Sequence, residues 1–77
     1  MDPDTAALRA GWRLSDIEIE ELERWIQQFP NEKIGRIKAM GYYSMHPAPK
    51  YDSRLNKHLI WMIRANPDAT IFNGFGI

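Results

Sequence analysis

Prolines divide this chain into helix-length pieces. Pro30 disfavours a helical conformation at Phe29, the run His46-Pro47-Ala48-Pro49-Lys50 cannot continue a helix and reads as a short, stiff connection, and Asn66-Pro67-Asp68 ends the segment before it. Between these breaks the apolar residues recur at spacings of three and four, the period of an α-helix, without strand-like alternation. A first helix is predicted over 15–29. Ser15-Asp16-Ile17-Glu18 fits a capping box, in which the serine hydroxyl accepts from the Glu18 amide while that carboxylate reaches back, and Leu14 and Ile19 are placed for a hydrophobic staple. Ile19, Leu22, Ile26 and Phe29 form its inner stripe with Trp25 beside them, leaving Glu20, Glu21, Glu23, Gln27 and Gln28 for the solvated face.

A second helix is predicted over 31–45, capped by Asn31 with Glu32 in its first turn, and Ile34, Ile37, Met40 and Tyr42 or Tyr43 form its apolar side. Gly41 inside it costs about 1 kcal/mol relative to alanine, which points to a close helix crossing or an early helix end. A third helix over 52–66, capped by Asp52 or Ser53, has its period in Leu55, His58, Leu59, Met62 and Ile63, widened by Ile60 and Trp61. A helix this apolar is expected to be the central, most buried one.

The expected fold is all-α: a compact three-helix bundle or helical-hairpin repeat fragment, one domain over 1–77, packed around Leu22, Trp25, Ile26, Phe29, Ile37, Met40, Leu55, Leu59, Met62 and Ile63. Residues 1–13 show no sustained period and read as a loose N-terminal arm with Trp12 pinned onto the body, and 68–77 read as an apolar, glycine-broken tail. A chain of 77 residues buries only about 60–65% of its unfolded surface, so a large enclosed active site is not expected. There is no cysteine, hence no disulfide framework, thiolate zinc site or cysteine nucleophile. No apolar run approaches the ~18–20 residues of a membrane span, and the start lacks a basic then apolar leader, so a cytoplasmic chain without a membrane partner is expected.

Arg36 followed by Met40-Gly41-Tyr42-Tyr43, then Arg54 followed by His58-Leu59-Ile60-Trp61-Met62-Ile63 and Pro67, resembles a motif of uncharacterised bacterial helical-hairpin proteins, loosely similar to tetratricopeptide-type repeats. The resemblance covers residues 25–71. It departs from the tetratricopeptide pattern in lacking the spacing of about 34 residues and the Trp-Leu-Gly-Tyr order, and fewer than two repeats fit. It implies an α-hairpin fold and protein binding, and no catalytic residue. An echo at an offset of 37, with Leu22, Ile26 and Pro30 matching Leu59, Ile63 and Pro67, is what two amphipathic helices ending in proline produce.

Residues that would carry chemistry are few. His46 stands in the proline-rich connection and His58 near the apolar arc of the third helix, where a hydrogen-bonded structural histidine is the common case; the pair lacks the i, i+4 spacing of a helical metal site. Ser15, Ser44 and Ser53 lie outside any Gly-x-Ser-x-Gly turn, and Glu18, Glu20, Glu21 and Glu23 read as a solvated face. No catalytic, cofactor-binding or metal-binding residue is assigned, and no enzymatic activity is expected.

Charge is distributed unevenly. Residues 1–32 hold eight acids and three bases and residues 33–64 seven bases and one acid, an asymmetry suited to attraction between faces of the fold or to a charged partner. The expected role is a non-enzymatic protein-interaction or regulatory accessory module, bound to another chain or to itself through Trp12, Tyr42, Tyr43, Phe72 and Phe75. The alternative is nucleic-acid binding, with Lys33, Arg36, Lys38, Arg54, Lys57 and Arg64 along phosphates and tyrosines against bases. Against it, the Pro-Ala-Pro connection is not a helix-turn-helix turn, and the helix in the recognition position is largely apolar.

Overall fold

Asp2 and Pro3 start the first of four α-helices, as the computed structural model shows over the residues it describes, 2–68. Asp2 is the N-cap, its Oδ1 accepting from the Thr5 amide at 2.9 Å, and Pro3 occupies the first turn, where its missing N–H costs nothing. This helix, α1 (Pro3–Trp12), replaces the expected loose arm. Its inner face is made of Ala7 and Gly11 rather than large apolar side chains, so it carries a helix start signal but little apolar period.

The remaining helices are α2 (Asp16–Gln28), α3 (Lys33–Met45) and α4 (Asp52–Ala65), with a single 3₁₀ turn, Pro49–Tyr51, leading into α4. The capping box of α2 is formed: Ser15 Oγ accepts from the Glu18 amide at 3.1 Å and Glu18 Oε1 from the Ser15 amide at 2.9 Å. Phe29 leaves the helix before Pro30, as expected. Two caps differ from expectation. Glu32, not Asn31, caps α3 by accepting from the Ile34 amide at 3.0 Å. No side chain caps α4, because the 3₁₀ turn feeds the chain directly into it. Among the described residues there is no strand, and the fold is all-α. No helix among them is long and apolar enough to cross a membrane.

The central element is α3, not α4 as expected. It packs against each of the other three helices and buries Gly35, Arg36, Ile37, Ala39, Met40, Gly41, Tyr42 and Tyr43. One core, with Ala7, Ile37, Met40 and Met62 at its centre, joins α1, α3 and α4; the other, with Ile19, Ile26, Ala39, Tyr42 and Tyr43, joins α2 and α3. The expected core members Ile26, Ile37, Met40 and Met62 are buried, and Leu22, Leu55 and Leu59 pack at its edge. Trp25, Phe29 and Ile63 are exposed instead.

Small residues decide which helix is central. A Cβ on Gly11 would collide with the Lys38 carbonyl oxygen, and one on Gly41 with the Leu8 carbonyl oxygen, so α1 and α3 cross backbone against backbone through a glycine from each. The close crossing is what the glycine in α3 serves. Alanine at Gly41 gains about 1 kcal/mol of helix propensity but must push α1 away, for a net loss of about 1–3 kcal/mol. Urea denaturation of Gly41→Ala and Gly11→Ala checks this, and stability at or above that of the parent chain would show that the crossing is not backbone-tight.

Candidate functional site

The stripe that α2 turns inward runs Ile19, Glu23, Ile26, at helical spacings of four and three, so it delivers a carboxylate to the core. Opposite it, α3 presents Tyr43 and α4 presents His58, both essentially without solvent contact. Glu23 Oε2 accepts a short hydrogen bond from the Tyr43 hydroxyl and another from His58 Nε2 at 2.9 Å. His58 Nδ1 lies 3.2 Å from Arg36 Nη1, whose Nε donates to the Pro30 carbonyl at 2.8 Å. A guanidinium only donates, so the hydrogen-bond pattern assigns the imidazole's single proton to Nε2 and an acceptor lone pair to Nδ1. At the other end Arg54 Nη1 reaches the Tyr43 hydroxyl at 3.5 Å and Glu20 Oε2 at 2.7 Å. The chain Arg54–Tyr43–Glu23–His58–Arg36–Pro30 therefore crosses α4, α3, α2, α4, α3 and the α2–α3 connection in turn. Among the described residues every buried side-chain polar atom has a partner.

The protonation preferences follow from these contacts. Burial pushes the Glu23 carboxyl up, but the hydrogen bonds from His58 and Tyr43 outweigh it and hold the group below its ordinary value. Burial, reinforced by the hydrogen bond to Glu23, raises the Tyr43 phenol. Tyr42, whose hydroxyl meets that of Tyr51 at 3.4 Å, is pushed up to about 12 by that hydrogen bond and by burial. Burial lowers the Arg36 guanidinium, and the Glu23 charge opposes the shift.

None of this network offers a reactive group to solvent. His58 is 0% exposed, so its imidazole is a structural group that cannot meet a solute. His46 stacks on Tyr42 with ring centroids 4.2 Å apart and bonds the Tyr42 carbonyl through Nδ1. Among the described residues no three His, Cys, Asp or Glu side chains are grouped to hold a metal.

The outer surface is where the structure is open. Gly35 seats the Trp25 indole so closely that a Cβ there would lie 2.6 Å from the ring, and Trp25 pairs with Phe29 at a centroid distance of 5.1 Å. These rings, 40% and 51% exposed, line a groove of about 440 Å³ with Pro30 and Glu32. A second groove, of about 400 Å³, is lined by Arg36, Lys57, Ile60, Trp61, Arg64 and Ala65. The two adjoin where the Arg36 guanidinium stands 4.7 Å over the Trp61 ring and bonds the Pro30 carbonyl.

The residues expected to bind a partner separate into different places. Trp12 is exposed at the end of α1, with the Arg9 guanidinium 6.0 Å from its ring. Tyr42 and Tyr43 are only 3% and 2% exposed: together with Tyr51 they form the aromatic cluster that pins the 3₁₀ turn to α3, and they present no free surface. Phe72 and Phe75 lie outside the described residues, as does the apolar tail. Nor do the six basic candidates make one surface. Lys33 pairs with Asp4 at 3.2 Å, Arg54 with Glu20 at 2.7 Å, Arg36 is buried in the network, and Lys38 is half-buried on α3. Lys57 and Arg64 share an open groove, with the buried Arg36 in its wall.

Sequence reasoning placed Glu23 on the solvated face, yet its register with Ile19 and Ile26 and the presence of His58 at an apolar position signal a buried pair. The exposure of Trp25 and Phe29 had no such signal. The chain matches no known protein family, no curated protein and no solved structure.

Glu23→Ala leaves the Tyr43 and His58 donors buried without an acceptor, and a loss of about 2–4 kcal/mol is expected in urea denaturation. The pH dependence has a definite sign. Because folding holds the Glu23 carboxyl below its ordinary 4.5, the native state binds fewer protons there; the contribution is complete above that value and lost as pH falls through the folded pKa. Glu23→Gln should flatten the acid side of the stability profile, and an unchanged acid slope would refute this assignment.

Proposed function

We propose that the chain is a non-enzymatic protein-interaction module that docks a partner on the face formed by the α2 C-terminus and the outer side of α4. The observation that carries this reading is that Trp25, Phe29, Ile60 and Trp61 line two adjoining open grooves after the core has closed, with every buried side-chain polar atom among the described residues satisfied. Aromatic and arginine side chains at the centre of a concave patch are the usual anchors of a protein interface. The imidazole–carboxylate pair His58–Glu23 is buried and serves the core. A regulatory accessory role in the cytoplasm agrees with this, as does the protein binding that the likeness to bacterial helical-hairpin proteins implies.

The reading moves the interface away from Tyr42 and Tyr43 and onto Trp25 and Phe29. Nucleic-acid binding stays the second reading, favoured by Lys57 and Arg64 in one groove, but three of its six cations are committed within the fold.

Affinity capture from an extract of the source cells tests the proposal, comparing the parent chain with Phe29→Asp plus Ile60→Ser after nuclease treatment. Both positions are about half exposed, so the melting temperature should hold while captured proteins are lost. Identical captured proteins from both chains would defeat the proposed face. Sedimentation of the purified chain decides whether the partner is a second copy, and nucleic acid retained without protein would favour the second reading.

A further inference from the structure

The acids of this chain are largely engaged within it. Seven of the eight in residues 1–32 have internal partners: Asp2, Asp16, Glu18 and Glu32 bond backbone amides at the helix starts, while Asp4, Glu20 and Glu23 take Lys33, Arg54 and His58. The bases are not matched in the same way. Lys57 and Arg64 make no ion pair among the described residues, and both are exposed.

These two cations stand seven residues apart on α4, about 10.5 Å along its axis at 1.5 Å per residue, and therefore on one side of the helix. Ile60 and Trp61 lie between them on that side, and Arg36 bounds the groove over the Trp61 ring. Among the described residues no acid lines the groove. Its pattern is cation, apolar pair, cation, with a third cation at the edge.

We propose that this groove binds an acidic amphipathic helix of a partner protein, one with carboxylates at positions i and i+7 and apolar side chains at i+3 and i+4. Laid along α4, such a helix sets its carboxylates against Lys57 and Arg64 at the matching rise and its apolar pair on Ile60 and Trp61. The inference rests on the protein-interaction reading and names the chemistry of the partner. A second copy of the chain is the poorer occupant, because the acids it would contribute already serve helix starts and internal pairs. The central network supports the site: the hydrogen bonds from Arg36 to His58 and Pro30 hold the guanidinium over Trp61, so the floor of the groove is arranged before a partner arrives.

The test is fluorescence anisotropy with a labelled 15-residue alanine-based peptide carrying glutamates at i and i+7 and leucines at i+3 and i+4. The same peptide with glutamines for the glutamates is the control. The parent chain should bind the acidic peptide saturably, and Lys57→Glu plus Arg64→Glu should weaken it by about tenfold or more, as should the glutamine control. Circular dichroism verifies that the reversed chain stays folded; if it does not, Lys57→Gln plus Arg64→Gln replaces it and should give the same direction. No binding of the acidic peptide, or equal binding by the charge variants, overturns the proposal. Equal binding of both peptides, lost on Ile60→Ser, overturns the charge pairing while leaving an apolar interaction face in place. Displacement of the peptide by a 20-nucleotide single-stranded DNA, with affinity falling steeply in salt, makes the groove a phosphate site and overturns both readings.

Discussion

A single carboxylate, that of Glu23, sets the order of the interior. Burying it is unfavourable unless donors surround it, and Tyr43 from α3 and His58 from α4 supply them. Three helices are thereby held in one register. The consequences extend outward, because His58 can accept from Arg36 only when its proton is turned toward Glu23. Arg36, so oriented, ties the α2–α3 connection through the Pro30 carbonyl and stands over Trp61 at the surface. A buried acid and an exposed groove are in this way parts of one hydrogen-bonded chain.

The second constraint is steric. Glycines 11 and 41 bring α1 and α3 into backbone contact, and Gly35 on α3 receives the Trp25 ring. With small residues meeting two neighbours, α3 becomes the element that the others surround. The helix α4 lies to the outside, and only His58 and Met62 of its residues are buried. Its apolar residues Ile60 and Ile63 are left on the surface, where they give the outer face its apolar character.

The charge asymmetry of the two halves has a local explanation for one sign and not for the other. Acids near helix N-termini satisfy free amides and complement the helix dipole, so a chain with three acid-started helices uses its acids where they stand. The bases have no comparable duty. Those that reach an acid do so across elements, as Arg54 reaches Glu20 and Lys33 reaches Asp4, and Lys57 and Arg64 on the outer side of α4 do not. The molecule is neutral in sum and cationic on that face.

Local signals were legible in the sequence by itself. The Ser15–Glu18 capping box, the helix stop before Pro30, the break around Pro47 and Pro49 and the all-α class all follow from hydrogen bonding and steric exclusion within a few residues. The close crossing at Gly41 was legible as a glycine that a helix would otherwise avoid. Asp2-Pro3 was an equally local start for α1, masked because Ala7 and Gly11 produce no strong apolar period. What required the tertiary structure was the choice of the central helix, the partners of Glu23, and which apolar residues were left outside. These depend on how closely three helices approach, and that distance is set by side chains far apart in the chain. Periodicity marks the apolar face of a helix, but only packing decides whether a neighbour covers it. That is why Trp25, Phe29 and Ile60 belong to a groove rather than to the core.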